Sequence, residues 1–282
     1  AAEAQFRLVV TDLDGTLFNG EGRVSDVNKS VLREVIGRNC PLVVATARAV
    51  YEFPYEDLPG PLYIVACGGA HCLERRSAAA GGRLRELFVE ALSEREARSA
   101  VAAAEAEGAT VWVSHTDRMF VKRGALGAAE SAKLLAHAVD VTVEAEDLEE
   151  ACMANRTIEV VAVMPDADRG ALRLRQALAA AGLNLDVLSM APDPVISIKS
   201  PGVDKASALR RLCAQLGIAP KDVVAFGDGT NDVPMLRFAG HGVAMANARP
   251  ATKASADAVS AWTNEEDAVA RELQQLRAQA RL

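Results

Sequence analysis

FRLVVTDLDGTL, residues Phe6 to Leu17, begins as an aliphatic run and breaks into two acids one residue apart, Asp12 and Asp14, followed by Gly15 and Thr16. The run Arg7 to Thr11 reads as a buried strand. In an open α/β sheet, ligands bind just beyond the carboxyl ends of the strands. Burying paired carboxylates at such an edge is costly unless a cation or hydrogen bonds compensate. Two merely solvated loop acids would leave the strand before them and the Gly-Thr after them unexplained.

Working outward, Ser25 caps a helix running to about Gly37, with Val27, Val31, Leu32 and Val35 expected on its apolar face. Two further apolar runs, Pro41 to Ala45 and Leu62 to Ala66, lead into Thr46 and into Cys67-Gly68-Gly69. This alternation of strand and helix implies a parallel sheet. Ser77 to Arg83 is rich in Ala, Gly and Arg and reads as a linker. Beyond it, Ser93 and Glu96 form a capping box for a helix through Glu107, closed by Gly108 and followed by the run Thr110 to Val113. A similar order recurs in a helix from about Arg169 to Ala181, Gly182, and the run Leu183 to Leu188, which suggests a pseudo-repeated α/β subdomain. Thr157 to Met164 alternates as a strand does.

From Pro201 the first pattern resumes. Asp204 to Leu216 reads as a helix ended by Gly217. Val223 to Phe226 is a buried strand leading into Gly227-Asp228-Gly229-Thr230-Asn231-Asp232, and Gly242 to Met245 is a last apolar run before Asn247. The tail from Glu265 to Leu282 reads as an amphipathic helix with its Leu/Ala stripe on the core. The organisation expected is an α/β core, residues 1–83 and 201–282, interrupted by an inserted α/β domain over residues 84–200.

A chain of 282 residues is long enough for two modest domains. Half of its residues are hydrophobic and only 4% aromatic, so the core is built from Ala, Val and Leu, which suits helices on a parallel sheet. A net charge of −7 argues against a nucleic-acid binder, since neutralising phosphates requires a basic surface. The five cysteines, Cys40, Cys67, Cys72, Cys152 and Cys213, are scattered without a CxxC pair or an accompanying histidine cluster, so neither a disulfide framework nor a zinc site is expected. The four histidines are equally dispersed. No apolar stretch approaches the roughly 18 residues that span a bilayer, and Ala-Ala-Glu-Ala-Gln lacks a signal-peptide layout. A reducing, cytoplasmic setting fits; an organelle lumen after leader removal is the alternative.

Four polar signals share one address, the carboxyl end of a core strand or the start of a helix that faces it: Asp12/Asp14, Thr46, Lys205 and Asp228/Asn231/Asp232. Phosphoryl transfer demands such a set: a nucleophile, a proton donor, a metal to bridge charges and fixed donors for the phosphate oxygens. Mg²⁺ keeps several waters and needs few carboxylates, which Asp12 and Asp228 supply. An aspartate attacking phosphorus divides one hydrolysis into two steps. Asp14 is then placed to protonate the leaving alkoxide and deprotonate the incoming water. Lys205 offers a compact charge for the phosphate.

These residues resemble the haloacid dehalogenase superfamily and, within it, the Cof-type phosphatases. DLDGTL (Asp12 to Leu17) and GDGTNDVPML (Gly227 to Leu236) match its first and fourth motifs. ATAR (Ala45 to Arg48) resembles the second, usually ATGR, and Lys205 in GVDKASAL resembles the third. GVAMANA (Gly242 to Ala248) is similar to the usual GVAMGNA. The resemblance implies a Rossmann-like doubly wound core with a large α/β (C2-type) cap, and a Mg²⁺-dependent phosphatase of small phosphorylated metabolites such as sugar phosphates. It implies Asp12 as nucleophile and metal ligand, Asp14 as acid/base with its main-chain oxygen on the metal, and Asp228 as the second carboxylate ligand. Asp232 supports the metal shell or Lys205, while Thr46, the Ala47 amide, Lys205 and Asn231 hold the phosphate. Ala47 replaces the usual Gly and Gly68-Gly69-Ala70 the usual Asn-Gly-Ala. The alternatives are a phosphomutase or phosphotransferase using the same nucleophile, and a catalytically silent regulatory protein on this scaffold.

Overall fold

The computed structural model describes residues 5–76, 83–123, 142–153, 156–190 and 194–282. Most of the Ser77 to Arg83 linker, and His137, lie outside them. In chain order the strands are β1 (Leu8–Thr11), β2 (Leu42–Ala45), β3 (Leu62–Ala66), β4 (His71–Arg75), β5 (Leu84–Val89), β6 (Thr110–His115), β7 (Met119–Lys122), β8 (Thr142–Ala145), β9 (Thr157–Val163), β10 (Asp186–Ser189), β11 (Val195–Lys199), β12 (Val223–Gly227), β13 (His241–Ala244) and β14 (Ala258–Val259). They form two sheets in two units.

The first unit comprises residues 1–47, 54–88 and 204–282. Its sheet has the order β14-β13-β12-β1-β2-β3-β4-β5. The neighbours from β14 to β3 are parallel, and β4 returns antiparallel to β3. Val9, Val10, Val43, Val44, Ile64, Val224 and Ala225 are all fully buried, so both faces of the sheet are covered, as strands without polar alternation require. One face packs on Leu209, Leu212 and Cys213 of the helix Lys205–Leu216 and on Met235 and Leu236. The helix Asp26–Gly37 buries Asn28, Val31, Leu32 and Val35. Val27, expected on that face, is half exposed. The inward position of the first turn belongs to Asn28, whose side-chain oxygen accepts the Ala270 N–H at 3.0 Å; positions 28, 31, 32 and 35 then complete one stripe. The C-terminal helix, Ala268–Ala278, buries Val269, Leu273 and Leu276.

The second unit comprises residues 48–53 and 89–203. Its sheet runs β10-β11-β9-β6-β7-β8, antiparallel except for β7 with β8. The helices Glu94–Ala106 and Ala167–Ala180 pack on one face, through Ala97, Ala100, Val101, Ala171 and Leu174. The two helix-Gly-strand units read from the sequence are present, with Gly108 and Gly182 both at positive φ. The second strand begins at Asp186 rather than Leu183, so three residues more are spent in the turn. Two features depart from a boundary at residue 84. Strand β5 joins the first sheet, tied by Arg85 to Glu74 on β4 at 2.6 Å. Residues 48–53, by contrast, group with the insert, where Tyr51 packs on Trp112 and Met119 and donates to the Arg118 carbonyl at 3.3 Å. Neither contact is encoded by local composition. Among the described residues no helix is long and apolar enough to cross a membrane.

Candidate active site

The parallel register of β1 and β12 aligns Thr11 with Phe226, and the Asp12 N–H donates to the Phe226 carbonyl at 3.0 Å. Asp12 and Asp228 therefore leave neighbouring strands at the same sheet edge. The chain then turns sharply through Leu13–Leu17, with Gly15 at φ 74. A Cβ on Gly15 would stand 2.5 Å from an Asp228 carboxylate oxygen, so any side chain here strains the turn and displaces Asp228. Thr16 Oγ1 donates to Asp228 Oδ1 at 3.1 Å.

Lys205 is the first residue of its helix, capped by Asp204, whose carboxylate accepts the Ser207 N–H at 2.6 Å. Its ammonium is 1% exposed and donates to Asp12 Oδ1 and Asp232 Oδ1, each at 2.6 Å. The other oxygen of Asp232 accepts the Asp228 and Gly229 N–H groups at 3.0 and 2.9 Å. Asp232 is thus a buried brace that fixes both the lysine and the loop carrying Asp228. Carboxylate oxygens of Asp12, Asp228 and Asp232 all lie within 4.8 Å of one another.

One ammonium faces three carboxylates, and the electrostatics record the deficit. Burial and the Asp232 charge push Asp12 well above the usual carboxylate range, against the pull of Lys205. Burial, then Asp232, pushes Asp228 up as well. Burial disfavours the charged form of Lys205, but Asp12 and Asp232 outweigh it and hold the ammonium above the ordinary lysine range. A divalent cation corrects such a deficit. Asp232 engages both oxygens with protein donors, whereas the described bonds to Asp12 and Asp228 use Oδ1 of each, so the oxygen donors suited to a hard cation are those two.

Thr46 is buried at the end of β2, where its N–H donates to the Val65 carbonyl at 2.8 Å. Ala47 is exposed and does not have a positive φ, so alanine where the resemblance has glycine costs no left-handed strain. Asp14 is exposed and stands outside the cluster of three, though its charge reaches Asp228. Asn231 is exposed beside Gly229. Thus the structure gathers Asp12, Lys205, Asp228 and Asp232 tightly, and leaves Asp14, Ala47 and Asn231 at the solvent side. Asn247 is a further residue of this edge that the sequence pattern does not single out. Its amide donates to the Gly15 carbonyl at 2.8 Å and its oxygen accepts the Asn264 N–H at 3.2 Å, clamping the acidic turn to the far end of the chain. Its place in GVAMANA, three residues past the end of a strand of the same sheet, is the available signal.

Among the described residues, the histidines and cysteines are engaged elsewhere. His71 pairs with Glu86 at 3.2 Å, His115 with the Ala151 carbonyl at 2.6 Å, and His241 stacks on Phe6. All five cysteines are buried and unbridged, and burial pushes the Cys40 and Cys72 thiols up to about 12.

The sequence model of the haloacid dehalogenase-like hydrolases matches residues 9–273, and the chain belongs to that family of hydrolases. Among its relatives, a 5-amino-6-(5-phospho-D-ribitylamino)uracil phosphatase of Bacillus subtilis is 24% identical over 95% of both chains. A protein of Arabidopsis thaliana named a chloroplastic endoribonuclease is 24% identical over 94% of this chain, which spans only 46% of that relative's length. A solved haloacid dehalogenase-like hydrolase from Bacillus subtilis superimposes with a TM-score of 0.77 at 26% identity, covering 96% of this chain and 100% of the other.

Proposed function

We propose that this chain is a Mg²⁺-dependent phosphatase that cleaves phosphate monoesters of small metabolites, sugar phosphates or related polyol phosphates, through an aspartyl phosphate on Asp12. The observation that carries this reading is the Lys205 ammonium bonded at once to Asp12 and Asp232, at the strand edge where Asp228 adds a third acid. Lys205 thereby ties the candidate nucleophile to a carboxylate that two main-chain amides already hold in place.

In the first step an Asp12 oxygen attacks phosphorus, the ester P–O bond breaks, and Asp14 gives its proton to the departing alkoxide. In the second, Asp14 takes a proton from water, whose oxygen attacks the same phosphorus and releases inorganic phosphate and the Asp12 carboxylate. Asp14 suits this exchange because it stands exposed, where protons and leaving groups pass. Lys205 and the Thr46 hydroxyl bind the phosphate oxygens, and the lysine offsets repulsion between the phosphate and Asp12. Asp12 and Asp228 would hold Mg²⁺, which when bound supplies charge neutralisation between nucleophile and phosphate. The Bacillus relative named for a phosphoribityl compound supports a polyol ester as substrate.

Phosphate release from an aryl phosphate should cease on addition of a chelator and return with excess Mg²⁺, as measured by a phosphate assay. Turnover that survives complete chelation would contradict the metal requirement. A panel of sugar, polyol, nucleotide and pyridoxal phosphates then ranks substrates by kcat/KM.

A further inference from the structure

The turn after β3 holds three successive residues, Cys67, Gly68 and Gly69, at positive φ: 51, 60 and 113. A cysteine in this region is strained, and such conformations persist only where the surroundings impose them. Two contacts impose this one. The Gly68 N–H donates to the Thr46 carbonyl at 2.9 Å, tying the turn to the end of β2. On its other side, the turn meets the start of the lysine-bearing helix so closely that a Cβ on Gly69 would lie 2.6 Å from the Asp204 carbonyl carbon and 3.3 Å from its Cα, and closer still to its oxygen. Backbone therefore packs directly on backbone. The residue it packs against is the cap, one position before Lys205.

We propose that Gly69 is a positioning residue for Lys205. The missing side chain lets the N-terminus of the helix settle against the turn, and from that seat Nζ reaches Asp12 and Asp232 at 2.6 Å. The same turn holds Thr46, so one three-residue element sets the spacing between two groups that bind the phosphate. Gly68 has a conformation that asparagine also adopts, which explains why the turn survives with Gly where the resemblance has Asn. This inference rests on the phosphatase reading of the site.

The test compares Gly69→Ala with Gly22→Ala. Both glycines have positive φ, but a Cβ on Gly22 meets nothing within 4 Å, so that variant carries backbone strain without the collision. Displacing a catalytic group by about 1 Å costs about 100-fold in rate. Gly69→Ala should therefore lose about that much in kcat on an aryl phosphate with Mg²⁺, measured per folded molecule, while Gly22→Ala keeps the unaltered chain's kcat. A Gly69→Ala protein that is less stable yet turns over like Gly22→Ala overturns the positioning role alone. An unaltered chain without phosphatase activity overturns the reading beneath it.

Should Gly69→Ala fail to fold, amide hydrogen exchange of the unaltered chain decides. With Mg²⁺ and inorganic phosphate added, residues Cys67–Ala70 should gain protection together with the segment at Lys205. Protection at Lys205 without any change in the turn would overturn the inference.

Discussion

Replacing Asp12 by asparagine should lower kcat on any phosphate monoester by about 10⁴-fold or more, because the amide cannot attack phosphorus and removing a nucleophile forfeits the whole covalent route. The fold should tolerate the change. Asp12 is 6% exposed, and burial with the neighbouring Asp232 disfavours its charge, so an uncharged isostere removes that cost while depriving Lys205 of one of two partners. Thermal unfolding should therefore shift by only a few degrees as activity disappears. Near-native turnover in Asp12→Asn, measured by phosphate release, would exclude the mechanism.

Lys205→Met should damage both activity and stability. It removes the ammonium that bonds Asp12 and Asp232 from a cluster in which one carboxylate oxygen each of Asp12, Asp228 and Asp232 lies within 4.8 Å of the others. Removing one partner of a buried charge network costs about 3–5 kcal/mol, which denaturant unfolding resolves readily. Mg²⁺ supplies part of the missing charge, so it should raise the stability of Lys205→Met more than that of the unaltered chain. A variant as stable as its parent in the absence of metal would contradict the electrostatic account of the cluster.

The sheet core was legible in the sequence because strands covered on both faces read as unbroken aliphatic runs, and Leu8–Thr11, Leu42–Ala45, Leu62–Ala66 and Val223–Gly227 each show one. The acids were legible because each follows such a run directly. What local pattern does not carry is the partner of a side chain distant in sequence. The resemblance implies a supporting role for Asp232, but that it bonds Lys205 with one oxygen and two amides with the other depends on the tight turn after β12. Val27 shows a similar limit. A hydrophobic residue in a helix's first turn fits the periodicity as read, yet Asn28 takes the inward place because the C-terminal helix presents it with a backbone N–H. Strand β5 was hidden for a third reason: its pattern of burial is mixed, and only its pairing in the first sheet identifies its unit.

The most direct measurement is chemical trapping during turnover. An acyl phosphate is reduced by borohydride to the corresponding alcohol, so quenching the working enzyme with borohydride and mapping peptides by mass spectrometry should find homoserine at position 12, dependent on substrate and Mg²⁺. Phosphate released at full rate with position 12 unmodified, or the modification found at another carboxylate, would contradict Asp12 as the nucleophile.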